Sequence, residues 1–350
     1  MVDETDFDDA RLDDPAALDA ADPVLRSLAL TGARIRLDAG EAPVAADAIT
    51  PRGVVVVGAE SRLLRAVMET TCPVPLVAWS FAGLPGWTGA LDLVVVQAGG
   101  ADGADLVSTV AEAVRRGASL LVAAPADSAV AAAAGSTSTL LVPTRSGDPL
   151  AGAVALLSVL HRGGLGPGVV PESVARQADL VAEVCSPHKD LATNPAKEVA
   201  IGLADAQPLL WGGSVLAARA ARRVGETLRH GTGRPALAAS AEEVLPVLRL
   251  ARVPSLFADP SDPETAGLRP VLVTFEDGDA EPARREYDLL CAEAARHSLR
   301  VSPIHCLDPD AGPMDRYVSL LMQGRYAAAY LGIGLGRLDA PPDSAWAPAP

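Results

Sequence analysis

The chain has 350 residues, enough for two ordinary domains with sizeable cores. Hydrophobic residues make up 49% and charged residues 21%, which excludes a disordered chain; with only 3% aromatic, the cores fall to Ala, Val and Leu. The formal net charge of −15 repels a phosphate backbone and argues against nucleic acid as a partner.

Residues 1–50 mix acidic and aliphatic positions at helical spacing and predict one or two short helices leading into the first domain. Their start, "MVDETDFDDARLDDP", is acidic, unlike the basic start and apolar run of a signal peptide. "RGVVVVG" (Arg52–Gly58) is a continuous valine-rich run, the mark of a strand buried on both faces. The helix "ESRLLRAVMETTC" and the strands "VPLVAWS" and "ALDLVVVQAGG" follow. Next come the helix "ADLVSTVAEAVRRG", the strand "ASLLVAAP", the helix "SAVAAAAG", the strand "STLLVPT" and the apolar helix "DPLAGAVALLSVLHRGG". Strands alternating with helices at this interval predict a parallel, doubly wound sheet over residues 51–165.

"GLGPGVVPES", rich in Gly and Pro, reads as an inter-domain connection. Beyond it, residues 172–339 repeat the grammar. The helix "SVARQADLVAEVCS" leads to a helix from Pro195, then the strand "QPLLWG" and the helix "SVLAARAARRVGETLRHG". The strand "RPALAAS", the helix "AEEVLPVLRLA", the strand "RPVLVTFEDG", the helix "EPARREYDLLCAEAARHS" and the strand "LRVSPIHCLD" come next. "PMDRYVSLLMQGRYAAAYLGIGLGRL" closes the half as a helix, and residues 340–350 read as a loose tail. The fold class is therefore α/β, with two α/β/α domains, each a mainly parallel sheet flanked by helices.

Cys72, Cys185, Cys291 and Cys306 are scattered, without a CxxC pair or a nearby His at ligand spacing. They read as reduced thiols of a cytoplasmic protein, and zinc is not supported. No apolar stretch approaches the roughly 20 residues needed to cross a bilayer, so no membrane contact is expected. With neither GxGxxG nor a P-loop, no cofactor is expected.

Taken in order, "VVVVGAES", "PVPLVAWSFAGLPGW", "LDLVVVQAGGADGADLVSTVAEAVRRGASLLVAAP", "NPAKEVAIGLADAQPLLWG" and "GRPAL" resemble the bifunctional phosphoglucose/phosphomannose isomerases. Those enzymes consist of two sugar isomerase (SIS) domains, and an actinobacterial branch is the nearest likeness. The final "PMDRYVSLLMQGRYAAAYLGIGLGRLD" is similar to their closing helix. The resemblance runs from about Pro51 to Asp339. It implies a homodimer with a small-molecule sugar phosphate as ligand, bound between the domains. It also implies aldose–ketose isomerisation of a hexose 6-phosphate by proton transfer, which needs a general base and donors for the phosphate.

Residue by residue the resemblance is incomplete. The family's first phosphate turn, Gly-x-Gly-Gly-Ser-Gly, is here Gly58, Ala59, Glu60, Ser61, Arg62. Gly58 can still turn and Ser61 can still donate, or Ser61 simply lies near a helix N-cap; Glu60 opposes an anion. The second turn, hydroxyl-rich in the family, runs from Gln97 through Ala98, Gly99, Gly100, Ala101 and Asp102 to Asp105 without a hydroxyl. Its glycines and helix end still suit an anion, while Asp102 and Asp105 can instead cap the helix. A family Pro-Arg pair becomes Pro149-Leu150, with Asp148 as the expected helix cap. His230 falls at the position of the catalytic glutamate, one helical turn beyond Glu226; it can act as base or merely close a helix C-terminus. No counterpart of the ring-opening histidine follows. In "TNPAKE", Asn194 and Pro195 read as a helix start, with Lys197 and Glu198 as exposed first-turn residues. Arg219, Arg222 and Arg223 form a basic cluster that can meet a phosphate or pair with surplus acids.

Overall fold

The structure is a computed structural model that describes residues 7–40, 42, 50–99, 103–251, 269–278 and 280–338. Contacts divide the chain into two compact units, one of Leu30–Asp179 with Gly312–Met314, the other of the stretch up to Ala29, Leu180–Ala311 and the segment from Asp315. The division falls within α7 (Pro171–Val184).

The 30–179 unit is built on a five-stranded sheet of order β2-β1-β3-β4-β5, every pairing parallel. Its strands are β1 (Val54–Gly58), β2 (Leu76–Ala78), β3 (Leu93–Gln97), β4 (Ser119–Ala124) and β5 (Thr139–Pro143). The valines of β1 and β3 are 3% exposed or less, so the unbroken apolar runs mark central strands covered on both faces. The helices α3 (Ser61–Met68), α4 (Ala104–Arg115), α5 (Ala129–Ala133) and α6 (Pro149–Arg162) flank the sheet. On α6 every residue from Pro149 to Leu160 is buried, because α2 (Thr31–Gly40) packs along it. The sequence reading placed residues 31–40 in a lead-in; contacts place them within this unit.

The 180–338 unit holds a four-stranded parallel sheet, β7-β6-β8-β9. Its strands are β6 (Ala206–Gly212), β7 (Leu237–Ala238), β8 (Arg269–Glu276) and β9 (Val301–His305). Around them lie α8 (Pro195–Gly202), α9 (Val215–Thr232), α10 (Ala241–Arg249), α11 (Ala283–Arg296) and α12 (Pro313–Gly334), while α1 (Pro15–Ala29) also belongs here. A core of Leu209, Trp211, Val244, Leu248, Leu272 and Leu290 lies between this sheet and α10 and α11. Helices start where capping chemistry dictates. Asn194 accepts from the amides of Ala196 and Lys197, Ser214 from Ala217, and Ser240 forms a capping box with Glu243. No helix of the described residues is long and apolar enough to cross a membrane.

Candidate functional site

In each sheet the chain leaves its first strand in one direction and then returns to build on the other side. Open α/β sheets bind ligands in the crevice beyond the strand ends at such a reversal. One reversal lies between β1 and β3, the other between β6 and β8.

At the first, β1 ends on Gly58 with φ +100°, and a Cβ there would stand 1.9 Å from the Gln97 carbonyl oxygen. Only glycine allows that approach. Gln97 is fully buried. Its Oε1 accepts from the Glu60 amide at 3.0 Å, and its Nε2 donates to the Pro149 carbonyl. One side chain thus joins the β1–α3 turn, the end of β3 and the start of α6. Glu60 is itself buried, at the N-cap of α3, and forms no side-chain cap bond there. Ser61 is the first helical residue and only 5% exposed.

Gly99 is half-buried at the end of β3, and the expected site residue Gly100 lies outside the described residues, as do Ala101 and Asp102. The cap of α4 expected from Asp105 is not formed. Gly103 is the N-cap, with no side-chain cap bond, and Asp105 is exposed in the first turn. On α6 the expected cap is formed: Asp148 accepts from the Leu150 amide at 2.9 Å, with Pro149 in the first turn. Leu150 is buried where the family carries arginine. A guanidinium is nevertheless present, because Arg34 of α2 lies 3.3 Å from the Asp148 carboxylate. Asp38, also on α2 and 1% exposed, accepts from the amides of Arg145 and Ser146 and from the Ser146 hydroxyl. The sequence reading missed both residues, since neither stands near a recognisable turn.

At the second reversal β6 ends on Gly212, where a Cβ would stand 2.3 Å from the Ala217 carbonyl carbon, so α9 docks directly on the strand end. Ser214 caps α9 and donates its hydroxyl to Asp277 at 2.5 Å. A cleft here is lined by Trp211, Gly213, Glu276, Asp277, Arg284 and Tyr287, among others. The Tyr287 hydroxyl is pushed up to about 12, first by burial and then by its hydrogen bond with Cys291. "WGGS" between strand and helix was the available signal for this turn.

The candidate catalytic and basic residues lie on α9. Glu226 is half-buried and accepts from Arg223 at 2.7 Å; His230, one turn on, is exposed. The helix is closed by Gly233 at φ +67°, whose amide donates to the Arg229 carbonyl. Arg219 is half-buried and Arg222 exposed. Asn194 caps α8 as the sequence suggests, but Lys197 is not an exposed first-turn residue. It is fully buried. Its ammonium donates to Asp13 at 2.6 Å and to the carbonyls of Pro187 and Lys189, and lies 5.4 Å from the Tyr330 ring centre. Among the described residues no group of three His, Cys, Asp or Glu could hold a metal ion.

No family model matches the sequence, and no curated protein matches it. Solved structures do. The C-terminal domain of glucosamine-fructose-6-phosphate aminotransferase from Francisella tularensis aligns over 89% of this chain and 96% of its own, with a TM-score of 0.63 and 10% identity. Tagatose-6-phosphate ketose/aldose isomerase from Escherichia coli aligns over 95% and 96%, with a TM-score of 0.61 and 13% identity. A glucose-6-phosphate isomerase like protein from Thermus thermophilus aligns over 92% of each chain, with a TM-score of 0.54 and 16% identity. At such identities the likeness establishes the fold, and that fold, parallel sheets flanked by helices, is the one used by phosphosugar isomerases.

Proposed function

We propose that this protein binds a hexose 6-phosphate of the glucose, mannose and fructose series at the carboxyl edge of its first sheet. It does so as a cytoplasmic homodimer of the phosphoglucose/phosphomannose isomerase type. The observation that carries this reading is the β1–β3 reversal. There α4 begins on Gly103, with no side-chain cap on an N-terminus that favours an anion, in a fold shared with proteins named for 6-phosphate sugars. Gly58, Ser61 and Gly99 lie at the turns of that edge, and Gln97 ties the β1–α3 turn to the start of α6. On the 180–338 unit, Arg219 of α9 is a separate candidate for a phosphate contact.

In the isomerase reading, His230 takes the proton from the carbon next to the carbonyl and returns it to the neighbouring carbon, with Glu226 one turn away as its acidic partner. The exposure of His230 and the ion pair that occupies Glu226 favour a second reading: a binder without turnover, acting as regulator or scaffold. One experiment divides the two. The purified chain is incubated with fructose 6-phosphate while glucose 6-phosphate and mannose 6-phosphate are followed, and its melting temperature is read with and without ligand. Turnover that His230→Ala lowers by about a hundredfold or more supports isomerisation. A thermal shift of several degrees at saturating ligand without turnover supports the binder. Neither turnover nor shift sinks both.

A further inference from the structure

Beyond the end of β2 the chain carries two aromatic residues that the phosphate turns do not use. Val56 pairs with Ala78, and the Trp79 amide donates to the Val56 carbonyl at 2.8 Å, so Trp79 continues the ladder beside Val57. Phe81 therefore leaves the same edge of the sheet as the Gly58 turn, about one strand spacing, roughly 5 Å, to its side. The loop then turns toward α4. Gly83 donates its amide to Thr109 Oγ1 at 3.0 Å, and Thr109 in turn donates to the Asp105 carbonyl in the first turn of α4. Trp79 packs against the core cluster that holds Val57, Val96 and Val110, as does Leu106 of α4. The aromatic loop is thus tied to the N-terminal end of α4, the proposed phosphate seat.

Two features of this loop are unused by the contacts among the described residues. The Trp79 Nε1 is buried and has no hydrogen-bond partner among the described residues. A buried indole N–H nearly always finds an acceptor, because leaving it unpaired forfeits its hydration without return. Phe81 meets Trp79 edge-on, with ring centres 5.1 Å apart at 64°, yet remains 72% exposed. Of the chain's four phenylalanines, this one is left largely in water beyond the end of β2.

We propose that Trp79 and Phe81 hold the sugar ring of the bound phosphosugar: Phe81 packs on the C–H face of the ring, and Trp79 Nε1 donates to one of its hydroxyls. This rests on the reading that a sugar phosphate binds at this edge, with its phosphate toward α4. The pair then acts on the sugar and not on the phosphate, and so determines which phosphorylated compounds the site accepts.

The test is equilibrium binding of fructose 6-phosphate and of inorganic phosphate to the full chain and to Trp79→Phe and Phe81→Ala. Trp79→Phe is expected to weaken fructose 6-phosphate about tenfold, the value of one hydrogen bond, and Phe81→Ala about fivefold. Inorganic phosphate binds all three proteins alike. In the wild-type chain the Trp79 indole N–H resonance shifts on adding fructose 6-phosphate and stays in place with inorganic phosphate, a readout that does not depend on either variant folding. Unchanged fructose 6-phosphate affinity in Phe81→Ala together with an unmoved indole resonance overturns the aromatic pair and leaves phosphosugar binding intact. No binding of fructose 6-phosphate to the wild-type chain overturns both.

Discussion

The two chain reversals are built alike and finished differently. At each, a glycine ends the first strand because a neighbouring backbone approaches too closely for a side chain: the Gln97 carbonyl at Gly58, α9 at Gly212. The polar bridge above them differs. A neutral amide, Gln97, spans the first, and a carboxylate, Asp277, receives Ser214 at the second. The helix after the first strand begins at the buried Glu60 without a side-chain cap in the first case, and with a serine cap beside two acids, Glu276 and Asp277, in the second. A carboxylate beside a helix N-terminus already satisfies its positive end and repels a second anion. Both crevices carry acid beside a helix end, Glu60 alone at the first and Glu276 with Asp277 at the second, so an anion is repelled less at the first.

The shared half of this comparison breaks with the largest effect. Gly58→Ala and Gly212→Ala each force a methyl group into backbone atoms 1.9 and 2.3 Å away. Gly58 adds a left-handed backbone. Each substitution is expected to cost about 4 kcal/mol or more, enough to unfold the affected unit, as read by chemical denaturation. A stable Gly58→Ala protein with unchanged melting would show that β1 and β3 do not approach as described.

The unlike half separates the two bridges. Gln97→Leu keeps the volume but strands the Glu60 amide and the Pro149 carbonyl in a buried place, at about 2–4 kcal/mol. Ser214→Ala removes a half-buried cap, at about 1 kcal/mol. Equal losses for the two variants, measured by urea denaturation, would remove the distinction between a sealed bridge and an open one.

The order of elements was legible because valine-rich runs and amphipathic stretches alternate along the chain, and a strand covered on both faces has no other sequence signature. Local caps were legible for the same kind of reason: Asp148-Pro149 and Asn194-Pro195 carry their own chemistry within three residues. What pattern could not supply is long-range partnership. Lys197 reads as a surface residue of a first helical turn, and only the arrival of Asp13 and two loop carbonyls makes its burial tolerable. Gln97 reads as a candidate ligand group, and only the convergence of Glu60 and Pro149 turns its amide inward. Arg34 and Asp38 lie on a helix that shows no link to α6 until both are folded. A site residue is visible in sequence when its partner is local and hidden when its partner is a hundred residues away.

The contrast between the units also shows in pH. All four tyrosines and three of the four cysteines lie in the 180–338 unit, and the raised thiols and phenols are there. Burial pushes the Cys185 thiol up to about 12 and raises Tyr330, whose hydroxyl donates to the Cys185 carbonyl at 2.6 Å. An acid raised in the folded state holds its proton after the unfolded chain has lost it. Stability is therefore full below the ordinary thiol value of about 8.5 and falls as pH rises toward 12, by up to about 1.4 kcal/mol per pH unit for one such group. The 30–179 unit contains no tyrosine and only Cys72 among the thiols. Alkaline titration should then loosen the 180–338 unit first: tyrosinate absorbance rises before the fluorescence of Trp79 and Trp87 changes, and Cys185→Ala moves the first transition to higher pH. Simultaneous transitions, unmoved by Cys185→Ala, would mean that these buried thiol and phenol protons do not set the alkaline limit of the fold.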